Sequence, residues 1–360
     1  MSLKICVYGG QFGSEGKGSL AEHLILNDMM ADNTASKLLV IGENSPNSGH
    51  TNTKGKTRSL PVSAWYADEV LLGPDSAIDP WMLLKEIEAI RVGRDKVNER
   101  GQRLPVLRVH AGAALITDES LMGEQHSELV ASISSTASGG GWARTEKQRH
   151  RRVRDTIGHF TTTEWEVLDQ RQYDAYLTEV QHWHWLFECS QGTMLDVNLG
   201  YYPFVTSRST HPRVAIERNG LGWVNWQYAG VYRTYPIRTG GPSGPTAGRE
   251  LTWGELRLSP EVTTVTKRVR RVFEFTGQDF LTCLKWVRPQ IVAFTHLDYL
   301  NIDPRTNEGI DLFKNWLLPH LYSARHVLKA SHYSHIPFLL SDTPGYFVPA
   351  GTILYNHDNE

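Results

Sequence analysis

Apolar residues fall in short runs: Ile5–Tyr8, Leu38–Ile41, Val70–Leu72, Val106–Val109, Ile291–Phe294 and Phe338–Leu340. Most have the length of strands buried on both faces. Between several of them the spacing turns helical. Leu20, Leu24 and Ile25 share one face, as do Met82, Leu83, Ile87 and Ile90. Asp79 and Pro80 before Trp81 read as a cap and a helix-opening proline. A further helix is expected over Tyr173–Phe187. Strands alternating with helices predict an α/β fold with a large, mainly parallel central sheet flanked by helices. Its functional loops belong at the strands' carboxyl ends.

The middle of the chain is more polar. Ser132–Gly141 reads as a flexible stretch and leads into the basic run Arg144–Arg154. Gly240–Gly248 is rich in glycine and proline, and Thr263–Arg271 is polar and basic. There is no internal repeat and no interdomain linker. Residues 1–360 therefore read as one domain, with loop insertions around 132–155 and 240–271.

Composition narrows the class. The 360 residues are 40% hydrophobic and 21% charged, too apolar for disorder. A net charge of -2 argues against a general nucleic-acid coat, and Arg144–Arg154 lacks the interleaved aromatics of a single-strand binder. No apolar run reaches membrane-spanning length, so no membrane partner is expected. Cys6, Cys189 and Cys283 read as packed cytosolic thiols. His182 and His184 would point different ways on the expected helix, so they are not read as a metal pair.

The first strand runs into Gly9–Ser19, GGQFGSEGKGS. Glycines let the backbone approach an anion, a helix start offers free N–H groups, and Lys17 adds charge. This suits phosphate binding, although a tight structural turn is the rival reading. Walker A needs a glycine where Gln11 stands, and the Rossmann pattern lacks its third glycine. After the second strand comes Asn47-Ser48-Gly49-His50-Thr51, whose histidine could approach a phosphate and donate a proton.

The pair of motifs, G-x-E-G-K-G then N-x-G-H-T, resembles the adenylosuccinate synthetase family. Gln191–Asp196 resembles its Q-G-T-x-L-D, and Tyr202–Ser207 its Y-P-x-V-T-S. Arg238-Thr239-Gly240, Thr295–Asp298 and Ser341 fall in family order. The resemblance covers nearly the whole chain. It implies a P-loop-NTPase-related fold, a homodimer and a cytoplasmic location, in the host's cytoplasm if the gene is a phage's. It also implies a ligase. A nucleoside triphosphate phosphorylates the 6-oxygen of a purine nucleotide, and the amine of aspartate then displaces that phosphate.

The resemblance also assigns roles. Ser14, Lys17, His50 and Gln191 form the catalytic set, with His50 as acid on the moving phosphate. Gly13, Glu15, Gly16, Gly18, Ser19, Asn47, Gly49, Thr51, Ser135, Thr136, Thr206, Arg238, Asp298 and Ser341 hold nucleotide or phosphate. Arg151 stands for the arginine that reaches the partner subunit's site, with Arg149 and His150 as alternatives of register. Thr263, Thr264, Lys267, Arg268 and Arg270 grip aspartate. Mg²⁺ is the implied cofactor, near Ser14 and the Gly49 carbonyl.

Departures from the family are informative. Ser14 replaces the aspartate that takes the N1 proton of inosinate, and a free hydroxyl is too weak a base for that. A serine leaves room beside N1 for the 2-amino group of guanine. The exchange resembles the phage branch, which makes 2-aminoadenylosuccinate from dGMP and aspartate for diaminopurine DNA. His296 replaces the lysine of the guanine-reading T-K-x-D, which favours ATP or dATP over GTP as donor. The Ser138–Arg144 loop also departs from the family's G-R-G-x-G-P. The rivals are an inosinate-using synthetase, a weakened enzyme and an inert purine-nucleotide sensor.

Overall fold

The computed structural model describes residues 2–30, 37–47, 49–95, 104–160, 162–263, 267–323 and 337–352. Its main sheet is built from β1 (Lys4–Gly9), β2 (Leu38–Gly42), β3 (Glu69–Leu72), β4 (Val106–His110) and β5 (Glu166–Leu168). It continues with β6 (His184–Gly192), β7 (Gln227–Arg233), β8 (Ile291–Thr295), β9 (Pro337–Thr343) and β10 (Tyr346–Thr352). These strands lie in the order β10-β9-β8-β7-β1-β6-β2-β3-β4-β5. Neighbours run parallel except β9 and β10, so the expected parallel sheet is present with one antiparallel edge.

Alternation along β1 divides the core. Ile5 and Val7 point into one apolar cluster, Cys6 and Tyr8 into the other. The first cluster is covered by α1 (Lys17–Leu24) and α2 (Pro80–Asp95) through most of the expected faces: Leu20 and Leu24 with Ile25 just beyond α1, then Leu83, Ile87 and Ile90, while Met82 is only partly buried and outside the cluster. Asp79 caps α2, accepting the N–H groups of Trp81 at 3.0 Å and Met82 at 3.1 Å. Between β4 and β5 lie α3 (Asp118–Gln125), α4 (Glu128–Ser132) and α5 (Gly140–His150). The second cluster is covered by α6 (Gln170–Glu179), α7 (Pro212–Arg218), α8 (Gly277–Val287) and α9 (Asn307–Ser323). All three cysteines are buried thiols.

One expectation fails. The helix drawn over Tyr173–Phe187 stops at Glu179, and His184 opens β6. β6 sits between β1 and β2 and is buried on both faces. Such a strand shows no period-two alternation, so its apolar run reads like a buried helix. His184 Nδ1 accepts the N–H of Leu3 at 2.9 Å.

The basic run of α5 is not uniform either. Arg144 Nε donates to the Asp75 carbonyl at 3.0 Å, and Lys147 Nζ to that of Pro74 at 2.9 Å. Arg149, Arg151 and Arg154 remain exposed. Among the described residues no helix is long and apolar enough to cross a membrane.

Candidate active site

β1 ends at the centre of the sheet, and the loop after it builds the floor of a cavity of about 190 Å³. Gly13, Ser14 and Gly16 take left-handed conformations there, with φ of 96°, 60° and 101°. Glu15 is fully buried beneath the loop and accepts from the N–H groups of Gly13 at 2.7 Å and Gln11 at 3.2 Å. Its second oxygen meets Lys17 Nζ at 3.1 Å. Glu15 thus shapes the loop and is not on the cavity wall. It needs Gly192 above it, where a Cβ would stand 2.7 Å from the carboxylate. Lys17 opens α1 and does line the cavity.

The His50–Thr51 strand pairs with Lys56–Thr57 and is pressed onto α1. Gly18 permits this contact, since a Cβ there would lie 2.3 Å from the Thr51 carbonyl. Gly18 and Thr51 therefore position the histidine from outside the cavity. His50 is buried, and its Nδ1 lies 3.1 Å from Glu188 Oε2. Glu188 also accepts from the N–H groups of Val62 at 3.1 Å and Ser63 at 2.7 Å. Burial opposes ionisation of Glu188, but the bonds from His50 and Ser63 prevail and hold its carboxyl below the usual range. With Nδ1 engaged by a carboxylate, Nε2 is the nitrogen left for chemistry in the cavity.

The remaining walls come from several other segments. Gln191, the last residue but one of β6, sits at φ 68°. Ser135 and Thr136 come from the loop between α4 and α5, with Ile133 and Ser134 beside them. Leu195, Phe204, Val205 and Thr206 form an apolar side, and Asn47 and Gly49 complete the rim. Asp196 fixes that apolar side by accepting the N–H groups of Asn198 at 2.8 Å, Thr210 at 2.8 Å and His211 at 3.0 Å. Arg238 donates to the carbonyls of Pro245 and Phe204, each at 2.6 Å, and lies over the Phe12 ring. Burial, aided by the charge of Arg271, lowers it to about 10.

A second cavity of about 100 Å³ shares Phe12, Gly13, Ser14, Asn47, Gly49, Thr136 and Arg238 with the first. Its own wall includes Thr263 and Arg270. Among the described residues no carboxylate lines either cavity.

Several expected residues stand apart. Gly16 and Ser19 shape the start of α1 without reaching a cavity wall. Lys267 and Arg268 are exposed, beside the segment that carries Thr263 and Arg270. Thr264 lies outside the described residues. Asp298 is exposed on the Leu297–Leu300 turn after β8. Ser341 is buried, with its hydroxyl donated to the Thr343 carbonyl at 2.7 Å. Arg151 ends α5 on the surface. His296, also after β8, is held well below the ordinary imidazole range by burial and the charges of Arg233 and Arg270.

The sequence reading overlooked Glu188 and Arg233. Both carried a signal, as lone charges inside or closing apolar strands. Arg233 is 1% exposed and donates to the Ser14 carbonyl at 3.1 Å.

Known proteins share this architecture. The adenylosuccinate synthetase family model matches residues 168–304. The N6-succino-2-amino-2'-deoxyadenylate synthase of Vibrio phage phiVC8 is 31% identical over 314 residues, 81% of this chain and 84% of that protein. The protein of the same name from Salmonella phage PMBT28 is 30% identical, over 82% of this chain and 86% of that one. A solved structure of cyanophage S-2L succinoaminodeoxyadenylate synthetase, bound to dGMP and dATP as an energy donor, superposes with a TM-score of 0.73. That match has 27% identity and covers 95% of this chain and 93% of that chain. A parallel sheet with a glycine-rich loop at its central strand, a buried His50–Glu188 pair and these relatives lead to one assignment: the chain belongs to the adenylosuccinate synthetase family and is a C–N bond-forming ligase of it.

Proposed function

We propose that this ligase condenses dGMP with L-aspartate, driven by a nucleoside triphosphate, to give 2-amino-2'-deoxy-N6-succinyladenylate. The carrying observation is the wall at Ser14: a serine lines both cavities, with no carboxylate on either among the described residues. A small hydroxyl leaves space for the 2-amino group and can accept a hydrogen bond from it.

In this reading the larger cavity takes the purine nucleotide, with Asn47, Ser135, Thr136 and Thr206 toward its phosphate. The donor's phosphates lie against the Gly13–Ser19 loop and Lys17. Phosphoryl transfer to O6 releases the N1 proton and turns a poor leaving group into a good one. His50, steadied by Glu188, supplies a proton to the oxygens of the moving phosphoryl group. The aspartate amine then forms the C6–N bond as phosphate leaves, and the amine sheds its proton. Thr263 and Arg270, on the second cavity, suit the carboxylates of aspartate.

Magnesium fits the donor set. Ser14 and Gly49 offer neutral oxygens on the wall beside Lys17, and phosphate oxygens and water suit the rest of a hard cation's shell. When bound, it offsets the crowded phosphate charge. The neutral His296 in place of a cationic lysine supports an adenine donor, and the cyanophage relative carries dATP. The exposed arginines ending α5 support a homodimer in which Arg151 enters the partner's site.

The test pairs dGMP or IMP with ATP, dATP or GTP, in aspartate and Mg²⁺. Succinylated product from dGMP with an adenine donor is expected. Product from IMP alone overturns the substrate, and tight nucleotide binding without product points to a sensor.

A further inference from the structure

Glu261 lies on neither cavity wall, yet its carboxylate ties together three segments around them. Oε1 accepts from a terminal nitrogen of Arg233, and from Tyr299 Oη at 2.7 Å. Oε2 is 3.4 Å from the other terminal nitrogen of Arg233 and 3.8 Å from Arg270 Nη1. Arg233 in turn donates to the Ser14 carbonyl at 3.1 Å and, through Nε, to that of Tyr235 at 3.2 Å. Arg270 donates its backbone N–H to the Glu261 carbonyl at 2.8 Å and lines the second cavity. Tyr299 meets the His296 ring edge-on, with centroids 5.2 Å apart.

Charge shows where this network has slack. Two guanidiniums share one carboxylate, so the group carries excess positive charge. Burial opposes ionisation of Glu261, but the charge and bonds of Arg233 outweigh it and hold the carboxyl below its usual range. The pair with Arg233 is bonded, whereas the pair with Arg270 at 3.8 Å exceeds hydrogen-bond length. Arg270 is therefore the partner that an incoming carboxylate can engage at least cost.

We infer that Glu261 is a positioning residue that couples the amino-acid site to the purine site through Arg270 on one side and Arg233 and Ser14 on the other. This rests on the reading that aspartate occupies the second cavity. A ligand carboxylate that engages Arg270 leaves Glu261 wholly to Arg233. Arg233 then holds the Ser14 carbonyl, and with it the left-handed turn that meets the base, more firmly. Aspartate and nucleotide bind with positive coupling, and each strengthens the other equally.

The experiment titrates the purine nucleotide calorimetrically with and without saturating aspartate, for wild type, Glu261→Gln and Glu261→Asp. Steady-state kcat and KM are measured beside it. In wild type, aspartate is expected to tighten nucleotide binding about fivefold. Glu261→Gln keeps the aspartate-free Kd within about twofold, loses the tightening, and raises the aspartate KM about tenfold with a smaller fall in kcat. Glu261→Asp, with the charge retained, recovers part of the coupling. Retained tightening in Glu261→Gln overturns the proposal. So does an equal loss of nucleotide affinity with and without aspartate, which marks a structural role only. The nucleotide used is whichever of dGMP and IMP the wild type turns over. Turnover of IMP alone therefore sinks the substrate reading and leaves the coupling tested. Absence of aspartate-dependent tightening with either nucleotide overturns the coupling itself.

Discussion

Ser14 is held by Arg233 through its carbonyl, at φ 60°, and lines both cavities. A carboxylate substituted there adds bulk and charge where the 2-amino group is proposed to lie. Ser14→Asp is expected to lower kcat/KM for dGMP at least about tenfold and to raise that for IMP, compared in one competition assay. Unchanged dGMP turnover contradicts the steric account. Glu188 acts one step further back. It leaves Nε2 of His50 for the cavity by engaging Nδ1 at 3.1 Å. Glu188→Gln can offer either a donor or an acceptor to that nitrogen, so the ring's tautomer is no longer dictated. A kcat fall of about 10- to 100-fold with little change in nucleotide KM is expected. A rise in KM alone would show that the pair serves binding and not proton transfer. The pairing of Glu188 with His50 could not be read from spacing, because the two lie 138 residues apart and meet only when β6 forms.

At the scale of elements, α2 supports the same site from outside. Its Glu86 accepts the N–H groups of Arg58 at 2.6 Å, Ser59 at 2.9 Å and Leu60 at 2.8 Å. That segment leads directly to Val62 and Ser63, whose N–H groups hold Glu188. Burial pushes the Glu86 carboxyl up to about 7, from an ordinary 4.5, against those three bonds. The folded chain thus keeps a proton that the unfolded chain releases. The stability this contributes is fully present below pH 4.5 and is lost as pH rises through about 7. Urea unfolding at pH 5 and pH 8 should show wild type losing roughly 2–3 kcal/mol relative to Glu86→Gln across that window. A difference between the two that does not vary with pH would refute this. The elements themselves were readable in unequal measure. α2 stood out because it buries one face against the sheet, leaving a 3.6-residue period, whereas α1 is buried almost all round and showed only through the spacing of Leu20 and Leu24. β6 did not, because burial on both faces erases alternation. β7 begins with an exposed glutamine and ends in the buried Arg233, which broke its apolar run.

For the whole molecule, the sheet order was beyond reach of the sequence, since it depends on which strand pairs lie far apart in the chain. β1 takes β6 and β7 as neighbours, more than 170 residues away. The loop motifs were nonetheless readable, because the glycine-rich loop follows β1 and His50 comes soon after β2, so neither needs long-range pairing to be seen. Association is the remaining scale. Arg144 and Lys147 anchor α5 to the turn at Pro74 and Asp75, which leaves the far end of the helix, with Arg149 and Arg151, facing outward. In the proposed homodimer an arginine that serves the neighbouring site would make each active site a composite of two chains. His50→Ala is then expected to disable a site from within, and Arg151→Ala the site of the partner. In a mixed dimer, one site then carries both lesions and the other carries neither. Mixing the two inactive proteins after reversible dissociation should restore about a quarter of wild-type activity, the product of half the dimers and half their sites. The restored activity should vanish on dilution below the dimer's dissociation constant. Mixing that restores nothing, while each variant alone remains folded, would place Arg151 on the surface of a site that is complete within one chain.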